Sequence, residues 1–348
     1  MAANSSVVLT QLDFDAQKQS LIDFLSEQEQ FKDYDFASSN MSVLLDVLAY
    51  NAYKQTFYLN MVASEMFLDS ARLRDSVVSH AKELNYLPRS FSSAKAVLNI
   101  TVTSTDDQKS SLVMPKGTQF VSRVGDRTYS FYTAENIVAA SSDGVFTMTG
   151  VEVFEGTLLS DTYSINYNNP LVYKINNATV DTNSVTVTVI EDNGSTTLEY
   201  SRATSLFGHN SESRIFFLQP AVDGGYEVVF GDGVIGRRPK NNSVVLIEYR
   251  ICNGELPNGA KRFTNASRID GESDVTITTT SGATGGLVAE SLESIKFNAP
   301  RAFTTQERAI TAEDYENLLK INFPEINADR KSTRLNSSHL VISYAVFC

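Results

Sequence analysis

Any chemistry in this chain would have to come from a short inventory: one glycine-rich run, three histidines, two cysteines and scattered carboxylates. Phe230-Gly-Asp-Gly-Val-Ile-Gly236 contains a literal G-x-G-x-x-G, the spacing that holds a dinucleotide pyrophosphate where a strand gives way to a helix. Val228-Val-Phe230 could supply the strand, but Arg237-Arg-Pro-Lys-Asn-Asn242 is poor helix, and no βαβ periodicity surrounds the motif. Without a helix N-terminus there is no row of amides to face a phosphate. Gly231, Gly233 and Gly236, with Asp232, are therefore expected to build a tight structural turn. Asp232-Gly233 also lacks the regular acidic spacing of a calcium loop.

The histidines are His80, His209 and His339. His209 has Ser211 and Ser213 nearby, which raises a serine hydrolase as an idea, but no G-x-S-x-G elbow and no H-E-x-x-H occurs in the chain. A solvated loop explains His209 better. Cys252 and Cys348 form no C-x-x-C, so neither a disulfide framework nor a thiolate metal site is expected. Nothing selects a pair of carboxylates for glycoside chemistry, and there is no Trp to make a sugar platform. The expectation is a chain without catalytic residues, metal or cofactor.

A formal charge of −12 is the wrong sign for nucleic acid, which needs a basic stripe to displace counterions, and for an anionic membrane surface. Docking onto a more basic protein remains open. No apolar run approaches the roughly 18 residues of a spanning helix, and Met1-Ala-Ala-Asn-Ser-Ser has no secretory pattern, so the expected site of synthesis is a cytoplasm.

The elements that must position these residues fall into two classes. Up to about residue 92 the apolar period is helical. Asp13 or Asp15 can cap a segment carrying Leu21, Ile22 and Leu25; Asn40 can cap a longer one carrying Leu44, Leu45, Leu48, Ala49, Ala52, Tyr53, Phe57 and Met61. The apolar arc of that second helix is wider than one neighbour would cover, which implies a bundle. Tyr50, Tyr53, Phe57 and Tyr58 serve equally as core or as interface anchors. Asp69 can cap a third helix with Leu73, Val77, Val78, Ala81 and Leu84 inward, ended by Leu87-Pro88-Arg89.

From Ala96 the period becomes two, as in Val97-Leu-Asn-Ile-Thr-Val-Thr103 and Val185-Thr-Val-Thr-Val189, with turn signals at Met114 to Gly117, Asp192-Asn-Gly194, Asp223-Gly-Gly225 and Asn258-Gly259. The fold class is therefore α+β and multidomain: a helical region over 1–92, a β-rich region over 93–280 holding one or two sandwich- or barrel-like domains, and a short helical segment after it. Ser281-Gly-Ala-Thr-Gly-Gly286 reads as a flexible joint opening a segment over 281–330. Helical pattern returns at Glu290 to Asn298, and Thr311-Ala-Glu-Asp314 has the form of a capping box, Thr311 and Asp314 being its two partners. The last residues, 331–348, break the pattern and resemble a non-native tail, so they are set aside from fold reasoning.

Three motifs in order, Phe230 to Gly236, Tyr249-Arg-Ile-Cys-Asn-Gly254 and Arg308-Ala-Ile-Thr-Ala-Glu-Asp-Tyr315, resemble the baseplate J-like family of contractile phage tails. Leu12-Asp-Phe-Asp15, Gln30 to Phe36, Ser39 to Asn51, Phe57 to Ala63, Glu65 to Ser70 and Leu73 to Pro88 resemble, more specifically, the large baseplate wedge subunits of myoviruses. The resemblance implies a virion component assembled in the host cytoplasm, self-associating as a homodimer within a wedge. It implies binding to an elongated wedge partner and to the sheath-initiating protein; the acidic balance adds the expectation of no nucleic acid and no membrane among the partners. It also turns Leu21, Leu25, Leu44, Leu48, Tyr53 and Met61 into candidate bundle residues. Members of the family are longer than this chain. The alternative is a β-rich tail protein that binds a host receptor or carbohydrate.

Overall fold

A computed structural model describes residues 13–32, 34–36, 38–104, 109–221, 225–305, 308, 311, 314–316 and 318–319. Asp223-Gly224, His339, Cys348 and the segment 331–348 lie outside the described residues. Backbone contacts divide the chain into one unit over 1–299 and another over 300–348.

Three helices open the first unit. Helix α1, Phe14–Ser26, is capped by Asp13, whose Oδ1 accepts from the amides of Asp15 and Ala16 at 3.0 and 3.2 Å. Helix α2, Met41–Glu65, has Asn40 at its N-cap, but Asn40 is already helical (φ −61°, ψ −14°) and its side chain makes no cap bond. A helical cap residue cannot fold its side chain back onto the first turn, so the Asn40 cap expected from the sequence does not form. Helix α3, Arg74–Glu83, starts later than the Asp69 cap implies. The carboxylate that meets the preceding amides is Glu65, at the end of α2, which accepts from Arg72 and Leu73 at 2.8 and 3.2 Å. The end of α3 is set before Pro88. Asn85 takes the left-handed conformation (φ 56°), Tyr86 donates its amide to Ala81 at 2.9 Å, and Asn85 to Lys82 at 3.0 Å. This is a Schellman closure, and it satisfies carbonyls that a proline alone would leave open.

The β region forms two sheets with separate cores. The first contains β1 (Lys95–Thr103), β2 (Ser111–Met114), β3 (Gln119–Val124), β4 (Arg127–Thr133), β5 (Ile137–Ser142), β6 (Val145–Glu155), β14 (Phe263–Asn265) and β15 (Asp274–Thr284). Its order is β14-β3-β4-β6-β1-β15, with β5 joining β2 to β6. Strict alternation in β1 sends Ala96, Leu98, Ile100 and Val102 into a core with Phe120, Phe131 and Phe146. The second contains β7 (Thr157–Ser164), β8 (Val172–Ile175), β9 (Val180–Glu191), β10 (Thr196–Ala203), β11 (Ile215–Pro220), β12 (Tyr226–Phe230) and β13 (Val244–Ile251), ordered β7-β13-β9-β10-β11-β12-β8. Its core holds Val187, Val189, Phe216, Val228, Val245 and Ile247.

Asn258-Gly259 lies in a turn, as its residue types imply, with Gly259 at φ +88°; Gly259 donates to Ala283 at 2.7 Å and Ala283 to Ala260 at 2.8 Å, covering the outer edge of β15. The expected joint at 281–286 does not form as one: residues 281–284 are the end of β15, where Ser281 and Thr284 pair with Val97 and Lys95 of β1. Gly286 is then gripped by Asn258, whose Oδ1 accepts its amide at 3.0 Å and whose Nδ2 donates to its carbonyl at 2.8 Å. A Cβ on Gly286 would stand 2.2 Å from the Gly254 carbonyl oxygen, so the small residues there serve close backbone approach rather than freedom.

Helix α4, Leu292–Thr305, follows, with Pro300 inside it. Glu290 precedes this helix, outside it, and is almost fully buried. Its carboxylate accepts from the Tyr86 hydroxyl, the Arg89 amide, the Ser294 hydroxyl and the Asn298 amide group. Arg74 donates to the Glu290 carbonyl at 3.0 Å, and the Tyr226 hydroxyl of β12 to the Pro88 carbonyl at 3.1 Å. These bonds fasten the helical segment to the second sheet and to the start of α4.

Candidate functional site

The residues that could do chemistry are spread through the chain and occupied structurally. Gly231 to Gly236 is a loop after β12 with no helix behind it. Asp232 Oδ1 accepts from the amides of Val234 and Ile235 at 2.9 and 3.1 Å, and those two bonds hold its carboxyl below the usual range. The loop's amides thus turn inward onto Asp232 instead of outward to a phosphate. A Cβ on Gly231 would lie 2.3 Å from the Ile235 carbonyl oxygen, which explains the glycine by the turn itself.

The Ser213 hydroxyl is engaged with Asn210, donating to its Oδ1 at 3.0 Å and accepting its amide at 3.0 Å, rather than with His209. His80 sets a ring nitrogen 2.9 Å from the Glu65 carbonyl at the junction of α2 and α3. Cys252 is buried, and burial pushes its thiol up, away from the reactive thiolate. Within the motif Tyr249 to Gly254, Asn253 donates its amide and side chain to the buried carboxylate of Glu155 at 3.1 and 2.6 Å. Burial raises the Glu155 carboxyl despite those bonds. In the second unit, Thr311 and Asp314 bond reciprocally: the Asp314 amide donates to the Thr311 hydroxyl at 3.2 Å, and the Thr311 amide to Asp314 Oδ2 at 2.8 Å. Among the described residues no group of three or more His, Cys, Asp or Glu is placed to hold a metal, and no helix is long and apolar enough to cross a membrane.

What stands out instead is α2. At about 1.5 Å per residue its 25 residues form a rod close to 37 Å long. One side is buried through Leu45, Ala49 and Ala63. Helix α1 lies against it, tied by Lys18 to Asp46 at 2.6 Å and by Gln17 to Thr56 at 3.2 Å. The remainder of the helix surface, from the edge of that stripe round to the opposite side, is largely apolar and in solvent. Its N-terminal half presents Val43, Leu44, Val47 and Leu48, and its C-terminal half Tyr58, Leu59, Met61 and Val62. Leu44 and Leu48 are 59% and 54% exposed, one position from the buried Leu45 and Ala49. Met66 and Phe67 continue the surface past the helix end. A soluble monomer rarely leaves so much contiguous apolar side chain in water.

The six candidate bundle residues therefore divide. Leu44, Leu48 and Met61 lie on the exposed face, while Leu21, Leu25 and Tyr53 are half-buried. Tyr50, Phe57 and Tyr58 are each about half exposed, so they belong to the surface of α2 rather than to a core. Sequence reasoning passed over Val43, Val47, Leu59 and Val62. The signal was present as a helix apolar on nearly every side, which one neighbouring helix cannot cover.

Comparison with known proteins bears on this same segment. Residues 13–86 match the family model described as the helical domain of gp6-like baseplate wedge proteins. Over 334 aligned residues the chain is 29% identical to the baseplate wedge protein gp6 of Enterobacteria phage T4, covering 89% of this chain and 50% of that protein. The chain thus spans about half the length of the curated relative it matches. Among solved structures, a chain of the anti-feeding prophage baseplate aligns at 13% identity over 92% of this chain and 66% of its own, with a TM-score of 0.34. A chain of the type VI secretion TssK-TssF-TssG baseplate subcomplex aligns at 10% identity over 78% and 81%, with a TM-score of 0.36. Both scores are too low to establish a shared fold.

Proposed function

We propose, for a chain that belongs with the gp6-like baseplate wedge proteins, that it is a structural subunit of a contractile phage tail baseplate and acts by being packed between other subunits. The observation that carries this is the exposed apolar face of α2, which lies within the matched residues 13–86 and is unfavourable in isolation. Burial of that face in a helical bundle gives Leu44, Leu48 and Met61 direct contact with a neighbour, and Leu21, Leu25 and Tyr53 the supporting layer beneath it. Within the wedge the chain's neighbours are a second copy of itself, an elongated wedge partner and the sheath-initiating baseplate protein, not all of them on this face. The helical region is the assembly module, the two sheets are the body, and the part after β15 begins a further module. No catalysis belongs to this role; the occupied states of Asp232, His80 and Glu155 support that.

The test is co-expression of the chain with the products of neighbouring tail genes, followed by light scattering on what co-purifies. A hetero-oligomer is expected, with more than one copy of this chain. Leu44→Asp with Leu48→Asp is expected to abolish it while leaving the melting temperature within a few degrees, because both side chains are already in water. Survival of the complex in the double variant overturns the assignment of this face.

A further inference from the structure

The exposed face of α2 is not uniformly apolar. Asn51, Lys54 and Gln55 cross it as a polar belt between the N-terminal and C-terminal patches. Spacing of 3.6 residues per turn puts Lys54 on the same side as Val47 and Met61, in the middle of the surface proposed above to become buried. The Lys54 ammonium rests 4.9 Å from the centre of the Tyr50 ring and makes no ion pair among the described residues. Resting on this aromatic face is adequate in water, but an ammonium enclosed without an anion is costly.

The helix itself offers no answer to that charge. Its two carboxylates are both committed near its ends, Asp46 to Lys18 at 2.6 Å and Glu65 to the amides of Arg72 and Leu73. Lys54 stands one residue from the midpoint of α2, so two copies paired about a two-fold axis bring their ammoniums together whether the helices run parallel or antiparallel. Like charges facing each other across a closing apolar surface oppose that pairing.

We propose that the occupant of this face is a helix of different sequence whose apolar stripe is broken by one Asp or Glu at the height of Lys54. The pair fixes the axial register of the bundle, as a lone polar position does in a helical interface, and discriminates against two copies closing on each other alone. This inference rests on the wedge-bundle role proposed above and adds the chemistry of the partner.

The experiment uses the full chain and the tail-gene product that co-purifies with it, with affinity measured by titration calorimetry. Lys54→Glu is expected to weaken binding at least tenfold and Lys54→Met by less, while Lys54→Arg, which keeps the charge, binds more tightly than either. Reversal of one acidic residue of the partner helix to Lys is expected to restore binding to Lys54→Glu and to no other variant. Circular dichroism on each variant separates an interface effect from unfolding. Wild-type affinity in Lys54→Glu, or failure of every acidic reversal to rescue it, overturns this inference alone. If the wild-type chain binds no tail protein, the wedge role fails and this inference with it.

Discussion

The Tyr86 hydroxyl lies 3.0 and 2.9 Å from the two oxygens of the Glu290 carboxylate, so a residue just past α3 and one just before α4 share a buried charged bond. Burial first, and the neighbouring carboxylate second, push the Tyr86 hydroxyl well above the ordinary tyrosine range and keep it a donor. A hydrogen bond to a charged group contributes about 1.5–3 kcal/mol. Tyr86→Phe is expected to destabilise the protein by that order in urea unfolding. Glu290→Gln is expected to cost more, since an amide turns its own donors toward groups that already donate. A loss under about 0.5 kcal/mol in Tyr86→Phe excludes a structural role for the bond.

Gly285 and Gly286 separate two kinds of glycine requirement in adjacent positions. Gly285 has φ +81° with open space where a Cβ would go, so Gly285→Ala carries only the left-handed penalty of roughly 1–2 kcal/mol. Gly286→Ala drives a methyl against the Gly254 carbonyl oxygen, which is backbone and cannot step aside. The second variant is expected to be clearly the less stable in thermal melts. Equal melting temperatures would mean that 281–286 is a flexible joint after all.

Acid should loosen the helical segment through Glu65. Burial pulls its carboxyl up, but bonds from the Arg72 amide, Ser76 and the Leu73 amide, with the charge of Lys296, hold it below its ordinary value. A folded-state value below the unfolded one gives stability that is present above the unfolded value, about pH 4.3, and is lost as pH falls through the folded value. Wild type is therefore expected to lose melting temperature more steeply than Glu65→Gln as pH drops below about 4.3. Parallel pH profiles for the two proteins would remove Glu65 from the account.

Cys252 should behave as a core residue. With Cys348→Ser removing the other thiol, reaction of Cys252 with an aromatic disulfide reagent is expected to be slow in buffer and fast in denaturant. Its sulfur sits 3.8 Å from the Thr179 carbonyl in the buried junction after β13. Rapid labelling of the native protein would contradict that burial.

Local pattern carried much of this architecture. Alternation in Val97 to Thr103 is β1, and the helical period around Leu44 to Met61 is α2. The GxGxxG was recognisable as a turn because the residues after it could not start a helix. Errors came where a local signal competed with a distant one. Asp69 has the right type to cap α3, but Glu65 reaches the amides of Arg72 and Leu73 from the preceding helix. Gly282, Gly285 and Gly286 suggest freedom until β1 and Asn258 are placed beside them.

The sequence by itself determined the order of helices and strands, the acidic balance and the placement of turns, because these depend on side-chain period and on backbone preferences within a few residues. Tertiary structure decided which side of α2 is inward. Leu44 and Leu45 are the same residue type one position apart, yet one is in water and the other is buried. Helical period assigns them to different directions, and only the packing of a neighbouring element chooses between those directions. That choice leaves Leu48, Lys54 and Met61 in solvent along one wide arc of the helix, where a partner can reach them.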